Sequence, residues 1–294
     1  MSFKFNGVIS ALITPFKNGK VDYKSLENLV EYQLKNGIQG FVINGTTAES
    51  PTLVKDEVET IFNTVKDVCE GKVPLILGTG TNSTDMTIAN NLMAQRLNAD
   101  AVLTVVPYYN KPTQAGLFQH FTAIAEASAK PVFLYNVPSR TITALAEETI
   151  IELSKNAKIW GIKEASGNID LAHNLMAKCR KGFIFLSGDD STFLDFMETG
   201  GHGIISVMSN LITKASRTFY DDISGNNPEK AHTEFKKHLN LINSMYVEAN
   251  PIPIKWMLWK KNLIATPETR LPLTTLDKQY FDKIETLMKE CNLL

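Results

Sequence analysis

Ile159-Trp160-Gly161-Ile162-Lys163-Glu164-Ala165-Ser166-Gly167 is a short apolar run that stops abruptly in a charge and then a turn. A run of this length, bounded this way, suits a strand buried on both faces of a parallel sheet. Similar runs occupy residues 8–13, 40–43, 74–77, 101–105, 131–135, 183–186 and 203–207, which with 159–163 makes eight. Stretches of helical period lie between them, for example 25–35, 55–70, 83–97 and 113–127. Start signals accompany several: Asp22 and Ser25 before the first helix, Thr84-Asp85 at the third and Asp190 at the seventh. Eight strand–helix units predict an α/β fold, a (β/α)₈ TIM barrel over residues 1–224. An open doubly wound sheet is the competing architecture, but no Gly-x-Gly-x-x-Gly opens a helix after the first strand. Beyond residue 207 only helical patterns remain, at 211–224, 228–248, 251–261 and 276–290, with Gly225-Asn226-Asn227-Pro228 as the first separator. The first closes the barrel as its eighth helix. Residues 225–294 form a C-terminal helical appendage whose helices need partner faces and do not make an independent globule.

A lysine that ends a strand inside a core places an amine at the mouth of that core. Desolvation disfavours an ammonium, and a lysine tuned by burial attacks carbonyl carbon, which is Schiff-base chemistry. A lone lysine at a strand end is more often a surface feature with its stem laid along apolar surface. Its company therefore decides.

Composition narrows the company to small molecules. The 294 residues carry 30 basic and 31 acidic side chains, so there is no electrostatic footprint for nucleic acid or an anionic membrane. Cys69, Cys179 and Cys291 are far apart and lack a neighbouring Cys or His at metal-ligand spacing, which supports neither a disulfide framework nor a metal site. A reducing cytoplasm is the expected home. No apolar run approaches the roughly 18 residues of a membrane span, and Met1-Ser2-Phe3-Lys4-Phe5 lacks the apolar stretch of a signal peptide.

In a barrel of this kind, reactive groups collect at the carboxyl ends of the strands. Strand two runs into Asn44-Gly45-Thr46-Thr47-Ala48-Glu49-Ser50, whose N–H groups and hydroxyls suit a carboxylate. Strand four ends in Pro107-Tyr108-Tyr109-Asn110-Lys111-Pro112, strand five in Tyr135-Asn136-Val137-Pro138-Ser139-Arg140-Thr141, and strand seven in Ser187-Gly188-Asp189-Asp190. Strands five and six are adjacent, so Tyr135 and Lys163 are expected to face one cavity, a phenol beside an amine. Taken singly, each has a bland reading as a core tyrosine, a turn cap or a surface arginine. Their convergence on one face favours a site.

Gly45-Thr46-Thr47-Ala48-Glu49, Tyr108-Tyr109-Asn110-Lys111-Pro112, Tyr135-Asn136-Val137-Pro138-x-Arg140-Thr141 and Gly161-Ile162-Lys163-Glu164-Ala165 together resemble the dihydrodipicolinate synthase family of pyruvate-dependent class I aldolases. The likeness spans nearly the whole chain. Ala48 departs from it, since the family usually has glycine there, and alanine requires negative φ or mild strain. The resemblance implies a lyase in which Lys163 forms an imine with pyruvate, so that no metal or organic cofactor is needed. It further implies that Tyr135 relays protons and that Thr46 passes them to Tyr109, which reaches into a neighbouring subunit. Thr47 would hold the pyruvate carboxylate, with Gly188 and the carbonyl of Ile205 lining the opposite wall. Arg140 would clamp the second substrate's carboxylate. The implied assembly is a homo-oligomer, in this family commonly a tetramer built as a dimer of dimers.

Sialic acid lyases and sugar-acid aldolases share the lysine and tyrosine, but the lyases generally carry Ser in place of Thr46 and lack an arginine at Arg140. Both residues here favour L-aspartate 4-semialdehyde as the acceptor. A barrel that binds a keto acid without turnover is the remaining alternative. Family members inhibited by lysine hold it at a dimer interface, and Ser50, Asn82 and Tyr108 match that effector site. Met86 stands where sensitive members carry glutamate, and Lys55 and Val58 where they carry histidines. A dicationic ligand loses its charge partner and meets a like charge, so the expected inhibition is weak or nil.

Overall fold

The structure, a computed structural model, describes residues 4–225 and 227–294. Met1, Ser2 and Phe3, from the stretch read for a leader, and Asn226, from the separator before the appendage, lie outside the described residues. Eight parallel strands close into a barrel: β1 (Gly7–Ala11), β2 (Gly40–Ile43), β3 (Leu75–Gly78), β4 (Ala101–Val105), β5 (Val132–Asn136), β6 (Ile159–Glu164), β7 (Ile184–Ser187) and β8 (Gly203–Ser206). Every run read as a strand is one. Their residues are almost all buried because barrel strands are covered within by one another's side chains and without by helices.

Helices α1 (Tyr23–Lys35), α2 (Lys55–Cys69), α3 (Thr84–Leu97), α4 (Gln114–Ala127), α5 (Glu147–Ser154), α6 (Ile169–Lys178), α7 (Phe193–Glu198) and α8 (Thr213–Ser224) follow the strands in turn. Asp22 caps α1 as expected, its carboxylate accepting from the Ser25 N–H and hydroxyl at 3.1 and 2.7 Å. Two start signals are corrected. Ser83, in extended backbone, caps α3, and Thr84 and Asp85 lie inside its first turn. Before α7 the N-cap is Thr192 rather than Asp190, without a side-chain cap, and the Asp189 carboxylate holds the turn that leads into it, accepting from the N–H groups of Ser191 and Thr192. The appendage holds α9 (Pro228–Ser244), α10 (Ile252–Lys260) and α11 (Phe281–Glu290). Helix α9 stops short of the expected residue 248, and a 3₁₀ turn at Lys278–Tyr280 takes the place of the expected start of α11.

The chain forms two compact units, the first of residues through Gly7 with Pro74–Ile205, the second of Val8–Val73 with Ser206–Leu294. In the first, Leu134, Ile150, Leu153, Ile159, Ile162 and Leu175 form part of one fully buried cluster, each such side chain worth about 1.5–3 kcal/mol of burial. Here β5 and β6 do not pair evenly. Val132 faces Ile159 but Phe133 faces Gly161, so Trp160 is the extra residue of a β-bulge. Gly161 follows it because a Cβ there would stand 2.3 Å from the Ile184 carbonyl oxygen. Beyond the bulge, Tyr135 faces Lys163 and Asn136 faces Glu164.

In the second unit, Leu26, Leu29, Val30 and Gln33 make the buried stripe of α1, and Val58, Ile61, Phe62, Val65 and Cys69 that of α2. Helix α10 is buried continuously from Ile252 to Leu258. Its one buried charge is Lys255.

Candidate active site

Strand β6 delivers Lys163 almost out of solvent, at 6% exposure, with Nζ 4.4 Å from the centroid of the Tyr135 ring. The nitrogen thus lies over the face of the aromatic ring. Gly188, just after β7, makes room for the lysine stem. A Cβ at that position would lie 2.8 Å from Lys163 Cε and 2.5 Å from Ala165 Cβ. The expected pairing of phenol and amine on adjacent strands is therefore present, and it depends on the bulge at Trp160.

Alternation along β6 turns the next residue the other way. Glu164 is 3% exposed, and its carboxylate accepts from Asn136 Nδ2 at 2.8 Å and from the Ser166 N–H at 2.7 Å. Burial outweighs these hydrogen bonds and holds its carboxyl above the usual range. Asn136 Oδ1 accepts in turn from the Leu145 N–H at 3.0 Å, tying the loop before α5 to the ends of β5 and β6. Neither residue was assigned a role from sequence. Both stood in the quoted motifs, and two successive charges on one strand were the signal, since only one can point into the cavity.

After β4 the chain makes a γ-turn. The Asn110 N–H donates to the Tyr108 carbonyl at 2.9 Å, with Tyr109 between them at φ +76° and 88% exposed. Such a conformation costs a non-glycine residue about 1–3 kcal/mol and tends to occur at functional sites. Asn110 Nδ2 also donates to the Asn82 carbonyl, at 2.8 Å. Tyr108 and Met86 are exposed in the same unit. Arg140 is exposed on a single helical turn, Pro138–Thr141, held by the Thr141 hydroxyl, which lies 3.0 and 2.8 Å from the carbonyls of Val137 and Thr143. Ile205 is buried within β8.

Thr46 and Thr47 belong to the second unit, in a 3₁₀ turn, Thr46–Ala48, directly after β2. Ala48 carries no left-handed backbone. That role falls to Glu49, at φ +58° and ψ +39°, so the alanine is accommodated without strain. Asn250 Nδ2 donates to the Thr47 hydroxyl oxygen at 2.9 Å. Glu49 is fully enclosed, one carboxylate oxygen accepting from Lys255 Nζ at 2.7 Å and the other from the Arg270 N–H at 2.8 Å. Burial draws the Lys255 ammonium down to about 8 against the pull of Glu49. The Arg270 guanidinium forms a fork with Glu57 at 2.6 and 2.8 Å and holds that carboxyl below its usual range. Ser50 opens the next 3₁₀ turn, half-buried, while Val58 is buried in α2.

The dihydrodipicolinate synthetase family model matches residues 4–291. The chain belongs to this family. A curated relative named 4-hydroxy-tetrahydrodipicolinate synthase, from Bdellovibrio bacteriovorus, is 46% identical over 290 residues, covering 99% of each chain. Among solved members, the dihydrodipicolinate synthase of Thermotoga maritima superposes with a TM-score of 0.97 at 38% identity over the full length of both chains. The chloride-inhibited dihydrodipicolinate synthase of Acinetobacter baumannii, complexed with pyruvate, gives 0.96 at 40% identity, covering 99% of this chain and 100% of that one. The synthetase family thus accounts for the barrel and its helical appendage together. Among the described residues, no helix is long and apolar enough to cross a membrane.

Proposed function

We propose that the protein is a 4-hydroxy-tetrahydrodipicolinate synthase, a lyase of the class I aldolase type. It condenses pyruvate with L-aspartate 4-semialdehyde at the entry to lysine and diaminopimelate synthesis. The observation that carries this reading is the buried Lys163 amine against Tyr135, given room by Gly188. The amine attacks the ketone carbon of pyruvate, water leaves and an imine forms. Loss of a methyl proton into that electron sink gives an enamine, whose carbon attacks the aldehyde. The acceptor's own amine then displaces Lys163 and closes the ring.

Tyr135 relays protons to and from the imine and the new hydroxyl, with Thr46 passing them to Tyr109 of a neighbouring subunit. The exposed Tyr109, held in a strained turn, supports such a role, since an aromatic ring displayed in water suits a partner surface. The hydroxyl and N–H of Thr47 take the pyruvate carboxylate, beside Gly188 and the Ile205 carbonyl. Arg140 clamps the carboxylate of the semialdehyde, as a planar guanidinium matches that anion in bidentate fashion. A sugar-acid aldolase or N-acetylneuraminate lyase has no use for this arginine. Catalysis is assigned to the barrel, residues 1–224, and the helical extension to 225–294. The working assembly is a homo-oligomer.

Borohydride reduction in the presence of pyruvate tests the reading. The expected outcome is a mass increase on the peptide containing Lys163, absent in Lys163→Ala. An unmodified Lys163 peptide, or equal labelling in the variant, would reject it.

A further inference from the structure

The turn that carries Thr46 and Thr47 is gripped from the far end of the chain. Asn250, Lys255 and Arg270 all reach it, 203, 206 and 221 residues along from their partners. A buried ion pair such as Glu49–Lys255 is a poor source of stability, because desolvating both charges offsets their attraction, and apolar residues often serve as well. What it supplies is geometry. Glu49 is the left-handed residue between the 3₁₀ turns Thr46–Ala48 and Ser50–Thr52, so fixing both its carboxylate oxygens fixes the direction of the preceding turn. The Thr47 hydroxyl has a single proton, and its oxygen accepts from Asn250 Nδ2. Accepting there leaves the proton free for another oxygen.

We propose that Asn250 and Lys255 are positioning residues for pyruvate. Asn250 orients the Thr47 hydroxyl so that its proton meets the substrate carboxylate, and Lys255, through Glu49, holds the turn in place. This rests on the reading of Thr47 as a carboxylate-binding residue.

The test is a cycle of steady-state measurements on the full chain. Asn250→Asp keeps the shape but only accepts, so it captures the Thr47 proton. The pyruvate KM is expected to rise about tenfold, with kcat within about threefold and the aldehyde KM unchanged. Thr47→Val is expected to raise the pyruvate KM by a similar factor, and Asn250→Asp added to it to contribute little more. An unaltered pyruvate KM in Thr47→Val would remove the underlying reading of Thr47. A raised KM there, with Asn250→Asp either silent or fully additive, would overturn the positioning role while leaving that reading intact. For Lys255 the measured variant is the pair Lys255→Met with Glu49→Gln, which leaves no lone buried charge. Its pyruvate KM is expected to rise about fivefold with melting temperature little changed, and an unchanged KM would overturn the role of Lys255.

Discussion

Glu164 is a carboxyl group whose surroundings oppose its charge. Its ordinary value is 4.5 and burial raises it in the folded chain, so between those two pKa values the folded state binds the extra proton. The resulting stability is present in acid and lost as pH rises through the folded value. Glu164→Gln keeps the size and removes the charge. Its amide can accept from only one of the two donors, Asn136 Nδ2 and the Ser166 N–H, so one hydrogen bond is lost at every pH, and the expected signature of the removed charge is that the variant gains on the wild type in melting temperature as pH rises from 4 to 7. Thermal melts at both pH values check this, and a difference independent of pH would contradict the burial account. At this scale Lys163 and Tyr135 were legible because each ends a short apolar run. Asn250, Lys255 and Arg270 were not, because what gives them meaning lies more than 200 residues away.

Strand β6 owes its chemistry to one extra residue. Continuing the Val132–Ile159 register without a bulge would set Tyr135 opposite Ile162 and Asn136 opposite Lys163. Deleting Trp160 removes that extra residue, so Ile159 still pairs with Val132 and Lys163 with Tyr135, and borohydride trapping of pyruvate on Lys163 is expected to persist with the helical circular dichroism signal intact. Loss of trapping in a variant that keeps this circular dichroism signal would show that Trp160 is not the unpaired residue of the strand. On α3, Met86 is exposed in the first turn with Asp85 beside it. Half-maximal inhibition by lysine is expected only above about millimolar concentration, and Met86→Glu is expected to lower it. An inhibition curve at saturating pyruvate decides the matter. Elements were readable where burial on both faces or a clean helical stripe wrote the pattern. Asp22 at α1 was readable too, but the starts of α3 and α7, the end of α9 and the start of α11 were not, because backbone conformation sets them, as it does at Ser83 before α3. The bulge also left no periodic trace, since Trp160 and Gly161 read as ordinary members of an apolar run.

For the molecule as a whole, the count of eight runs was enough to foresee closure of the barrel. The assembly is a question for solution. Light scattering is expected to give at least twice the chain mass. Tyr109→Phe is expected to keep that mass while kcat falls at least tenfold, and full activity in this variant would remove Tyr109 from the relay. The contacts between Thr47 and Asn250 and between Glu49 and Lys255 also bear on how the enzyme is made. The turn leaves the ribosome early, but its anchors follow 203 and 206 residues later, a delay of about 10–40 s at ordinary elongation rates. On the proposed reading of Thr47, a nascent chain displays this residue well before it can use it, and any chain released early, short of Asn250, is expected to fail as a competitor for the keto acid. Substrate affinity becomes a mark that translation has finished.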